Sequence, residues 1–140
     1  MSMFKVFDIA SSALRAQSIR MNTTASNLAN ANSVSSSIEE TYKARKPVFA
    51  AEVGSAMGGA YPAGVGVEVK GIVESEAPLQ RRYDPNHPKA DDQGYIFMPN
   101  VNVVEEMTDM IEGSRSFQTN VEMINTAKQL AMRTLSIGRN

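Results

Sequence analysis

The chain has no cysteine and no tryptophan, and its 140 residues include only one histidine, four tyrosines and five phenylalanines. Without cysteine there is no disulfide framework and no thiolate nucleophile. With His87 as the sole imidazole, the nitrogen and sulfur donors of a transition-metal site are missing too. The formal net charge is −1, from interspersed acids and bases. No broad positive field exists to hold a phosphate backbone or an anionic membrane, which argues against nucleic acid as a partner. No apolar run approaches the roughly 20 residues of a membrane span, which argues against membrane insertion. The segment Met1 to Ala10 lacks the basic start and long apolar stretch of a cleaved secretory signal. If the protein works outside the cytoplasm, the expected route is export without such cleavage.

What is present is periodicity at both ends. Phe7, Leu14, Met21 and Leu28 are spaced by seven, with Phe4 just under one turn before Phe7, and neither proline nor glycine interrupts Met3 to Asn30. The spacing predicts a helix of about 28 residues, roughly 40 Å long. The C-terminal region repeats the pattern. Val103, Met110, Phe117, Ile124 and Ala131 form one heptad row, and Met107, Ser114, Val121, Lys128 and Leu135 a second. That is the spacing of a coiled-coil seam with both rows on one face. Asn102 is the expected N-cap, with Glu105 three residues on as its capping-box partner. Acids crowd the start, bases the end, and the predicted helix runs from Val103 to Ile137, stopping near Gly138. Gly113 is the weak point inside it.

Between them, residues 33–100 read as short strands and loops. Val65, Val67, Val69 and Val73 alternate with Gly66, Glu68 and Lys70 at strand period. Tyr95 to Met98 is a second strand candidate and Val48 to Val53 a weaker one. The serine-rich Ser33 to Ser37 reads as a linker, Gly54 to Gly66 as a flexible loop, and Tyr83 to Pro88 as turns. The expected fold is mainly α with a small β-rich insertion (α+β): helical segments 1–32 and 101–140, and an insertion at 33–100.

No constellation carries catalysis. His87 sits between Asn86 and Pro88, where an exposed turn residue is the simpler reading, and Asp91 and Asp92 lack the ligand spacing of a calcium loop. The adjacent carboxylates Glu39–Glu40 and Glu105–Glu106 do not face each other across a pocket. The glycine-rich loop has no phosphate-binding ending. Arg81 and Arg82 beside Tyr83 make too small a footprint for RNA. Catalytic, cofactor and metal residues are therefore none. The ordinary reading of two amphipathic helices is an intramolecular hairpin. Against it, Ser11, Ser18 and Lys128 interrupt the seams, and Asn22, Asn27, Asn30, Asn32, Asn120 and Asn125 offer amides for contacts between helices, which suits a packed array.

Three motifs carry a resemblance. Asn22-Thr-Thr-Ala-Ser-Asn-Leu-Ala-Asn-Ala-Asn32 resembles the N-terminal signature of flagellar rod and hook proteins. Asp84-Pro-Asn-His-Pro-Lys-Ala-Asp-Asp-Gln-Gly-Tyr95, together with Pro99 to Met107 and Asn125 to Leu130, resembles the proximal-rod branch of that axial family. The likeness covers nearly the whole chain and departs from the family pattern at Ser33 to Thr41 and in the glycine-rich loop. It implies that the terminal segments form the inner helical domain of a tubular rod crossing the periplasm, exported through the flagellar type III apparatus. The implied partners are copies of the chain, other rod subunits and the membrane-embedded ring at the rod base. The expected assembly residues are Phe4, Phe7, Leu14, Met21, Asn27, Leu28 and Asn30 on the first helix. On the second they are Val103, Met107, Met110, Phe117, Val121, Ile124, Ala131 and Leu135. A cytoplasmic helical adaptor or export chaperone is the alternative, and a small periplasmic hydrolase a third reading that would need a pocket.

Overall fold

The computed structural model describes residues 3–52 and 65–138, so nearly all of the glycine-rich loop lies outside the described residues, as does the side chain of Phe4. Helix α1 spans Met3–Asn30 and helix α2 spans Val103–Ile137. Between them run β1 (Arg45–Glu52), β2 (Gly66–Glu74), β3 (Gln80–Tyr83) and β4 (Tyr95–Met98). The strands form two separate antiparallel ribbons, β1 with β2 and β3 with β4. The first shifts register between Val48 and Phe49. Both helix spans match the periodicity, and the weak strand candidate is a full partner of β2.

Helix α2 begins on Asn102, whose extended backbone (φ −94°, ψ 105°) lets its side chain accept from the Val104 N–H at 3.2 Å. Glu105 does not close the capping box. Its carboxylate accepts instead from Lys46 Nζ on β1, at 2.5 Å. The helix stops at Gly138, whose N–H donates to the Thr134 carbonyl.

The two helices lie side by side and antiparallel, because Arg20 meets Asp109 while Gln17 and Met21 meet Gly113. Buried Gly113 marks the close approach: a Cβ built there would stand 3.2 Å from Met21 Cγ. Carried along both helices at equal rise, that register brings the start of α1 level with about residue 130 of α2. The last turns of α2, with Met132, Leu135 and Ile137 exposed, extend past it. Gly113→Ala should stay within about 1 kcal/mol of the parent in urea unfolding, since the gain in helix propensity offsets a small shift of the flexible Met21. Gly113→Val should lose about 2 kcal/mol by forcing the helices apart. Equal midpoints for the two variants would contradict this packing.

The core is small and built mostly of alanine. Ala10, Ala16, Ala31, Ala44, Ile96 and Val101 are buried, and Ala31, Ala44 and Val101 cluster under Tyr42 where α1 ends and α2 starts. The linker at 33–37 is tied down rather than free: Ser35 exchanges both backbone hydrogen bonds with Phe97 of β4, each 3.0 Å long. The total accessible surface is 10034 Å². A compact chain of this length exposes roughly 7,000 Å².

Candidate assembly interface

Two asparagines hold the ribbons to the helices. Asn27, 1% exposed on α1, accepts through Oδ1 from the Tyr42 hydroxyl (2.8 Å) and the Arg45 N–H (2.9 Å), and donates through Nδ2 to the Arg45 carbonyl (2.8 Å). Asn100, just ahead of α2, accepts from the Ala44 N–H (2.7 Å) and donates to the carbonyls of Ser75 (3.2 Å) and Ala77 (2.8 Å). A side-chain amide matches a peptide's donor and acceptor, so each replaces ladder bonds that the end of a two-stranded ribbon lacks. Farther along α1, Ser12 accepts from the Val67 N–H at 3.0 Å. Ala16, Thr23 and Asn27, buried on the same side of the helix, continue that contact line.

Charges join the same three elements. Arg20 pairs with Asp109 at 2.8 Å and Glu112 at 3.6 Å across the helices, and Lys46 with Glu105. The hydrogen bond to Glu105, aided by the charges of Glu105, Glu106 and Asp109, holds the Lys46 ammonium above its usual pKa. Because the folded value is the raised one, this contribution is complete below about pH 10.5 and fades only as the pH climbs through the folded value. Both side chains are about half exposed, which keeps the pair within about 1 kcal/mol.

The structure divides the expected seam of α2. Met110, Phe117, Ile124 and Ala131 are half-buried, but Val103 of the same row is 41% exposed, and Met107, Val121 and Leu135 of the other row are exposed. The second row facing α1 is Glu106, Gly113, Asn120 and Ala127, which flanks the Met110 row on its other side. The expected seam through Met107, Val121 and Leu135 is therefore not the one that joins the helices. The small and polar row packs inward because Gly113 permits close approach, and Val104, Met107 and Ile111 are left facing away from α1. On α1, Phe7, Leu14, Met21 and Leu28 are all half-buried. Asn27 is committed to β1 of its own chain, whereas the Asn30 amide bonds back to Ser26 O at 2.8 Å.

The Asp84–Tyr95 motif closes the β3–β4 ribbon. Asp91 Oδ1 accepts from the N–H groups of Gln93 and Tyr95, Asp84 N–H donates to Gly94 O, and Gly94 takes the positive φ of 79° that the turn demands. His87 Nδ1 accepts from the Lys89 N–H at 3.1 Å, and Lys89 Nζ reaches Val34 O at 2.9 Å. Among the described residues no three His, Asp or Glu side chains are gathered for a metal, and no helix is long and apolar enough to cross a membrane. Sequence reasoning missed Asn100, Ser12 and Glu106 as contact residues. Only Asn100, in the Pro99-Asn-Val-Asn102 segment between β4 and α2, stands where an amide signals such a role.

Comparison with known proteins identifies the family. Residues 7–35 match the family model "Flagella basal body rod protein", and residues 92–137 match "Flagellar basal body rod FlgEFG protein C-terminal". The chain is 47% identical over 139 residues to the flagellar basal-body rod protein FlgC of Escherichia coli, covering 99% of this chain and 100% of that one. It is 45% identical to FlgC of Salmonella typhimurium over 141 residues, with 99% and 100% covered. FlgC of Borreliella burgdorferi is 34% identical over 149 residues, at 98% of each chain. The chain belongs to the FlgC family of flagellar basal-body rod proteins.

Proposed function

We propose that the chain is a building block of the rod that assembles helically with copies of itself and with other rod subunits. The resulting tube forms part of a periplasm-crossing drive shaft and export channel, seated toward the membrane-embedded ring. The subunit reaches its place through the flagellar type III apparatus and catalyses nothing. Residues 1–32 and 101–140 supply the inner assembly domain, and 33–100 stands as an insertion on it.

The observation that carries this reading is unpartnered surface. The chain exposes about 3,000 Å² more than a compact chain of its length, several times the ~800 Å² that one partner gives to a standard interface. Its largest exposed apolar side chains include Val104, Ile111, Leu135 and Ile137 on α2, at 61% to 76%. Neighbouring subunits that laid helices against this face and against the overhanging end of α2 would bury it. A cytosolic adaptor living as a monomer would leave it wet, so nothing in the surface favours that alternative.

The test is location. A tagged chain, expressed in cells lacking the native copy, should restore swimming and co-purify with detergent-extracted basal bodies. Recovery only from cytosol, with rods completed normally in its absence, would refute the reading.

A further inference from the structure

Where α1, β1 and α2 meet there is a cavity of about 300 Å³, lined among others by Arg20, Thr24, Arg45, Lys46, Phe49 and Glu106. Glu106 is 3% exposed, yet among the described residues no hydrogen bond or ion pair reaches its carboxylate. The bases on the rim are engaged elsewhere: Arg20 with Asp109 and Glu112, Lys46 with Glu105, and Arg45 with Glu74 at 3.5 Å. A carboxylate in the first turn of α2 gains from the helix dipole, but a buried ion needs a direct counter-charge as well.

We propose that this pocket receives the basic side chain of an adjacent rod subunit, an arginine or lysine, with Glu106 as its counter-ion. The inference rests on the rod reading and adds to it a specific socket. Space, charge and geometry agree. The cavity is large enough for an extended side chain. Its buried carboxylate, Glu106, has no ion pair of its own, and Phe49, 40% exposed at the rim, offers a ring face on which a guanidinium can stack. The chain carries matching groups at its opposite end, where Lys128 and Arg133 of α2 are exposed and have no ion pair among the described residues. Subunits stacked end to end would bring such a base to the socket.

Tagged Glu106→Gln and Glu106→Arg chains, expressed in cells lacking the native copy, test this. Glu106→Gln should be exported at the parental level and keep its urea midpoint when purified, yet enter basal bodies at least about tenfold less than the parent. Glu106→Arg should abolish swimming. Its motile revertants should carry an acidic residue in place of a base on a neighbour: at Lys128 or Arg133 if a second copy fills the socket, in another rod protein if that subunit does. Three results overturn the proposal: Glu106→Gln incorporated like the parent, incorporation and urea midpoint lost together, or revertants confined to Arg20, Arg45 and Lys46 or absent. A tagged parent missing from basal bodies would instead refute the rod reading. A parent present beside equal Glu106→Gln refutes the socket alone.

Discussion

Replacing Asn27 with alanine should lower the stability of the chain by about 3 kcal/mol, several times the effect of the same change at Asn30. At 1% exposure the Asn27 amide serves three groups, the Tyr42 hydroxyl and both the N–H and C=O of Arg45. Each abandoned buried partner costs about 1–3 kcal/mol, although the half-buried Tyr42 hydroxyl can turn to water and limit the sum. Asn30 bonds only within its own helix, to Ser26 O, so Asn30→Ala should cost under about 1 kcal/mol. Urea unfolding of the purified chains reads the difference. Superimposable curves for the two variants would mean that the clamp on β1 does not hold the fold.

Ile124→Asp and Ile111→Asp should fail in different ways. Ile124 lies three turns beyond Gly113, on the same face of α2, and is half-buried against α1. A charge there has no counter-ion in the interface, so Ile124→Asp should lose several kcal/mol and leave the chain largely unfolded in urea titrations. Ile111 points away from α1 and is 61% exposed, so Ile111→Asp should change stability by no more than about 0.5 kcal/mol. It should nevertheless block rods at normal export, because the apolar surface a neighbour would cover then carries a charge. Basal bodies counted at matched secretion, beside urea midpoints, separate the two. Normal rods from Ile111→Asp would show that this face meets no neighbour.

The helices were legible because their signals are local. An uninterrupted seven-residue spacing marks α1, and Asn102 and Gly138 mark the ends of α2. Which face of α2 turns inward was not legible. Rows through Met107 and through Glu106 both flank the Met110 row, and hydropathy favours the apolar one. The fold takes the other, because Gly113 lets α1 approach closely on that side, a gain that depends on Met21 rather than on any residue near Gly113 in sequence. Asn27 was singled out as a joint, but its partner was sought on a neighbouring helix and not on β1, since nothing near Arg45 advertises a backbone in need of an amide. Glu106 reads as an ordinary first-turn acid, and its burial follows only from the crossing of three elements.

The antiparallel pairing of α1 with α2 also sets the order of events in the life of the chain. Arg20 and Asp109 are 89 residues apart, and contacts nearer the start of α1 span still longer loops. While the ribosome is at work, the first helix has no mate to lie against, because that mate is made last. Contacts of such long separation are slow to form, since the intervening loop must close before any of them is gained. The hairpin can therefore close only after α2 has been made.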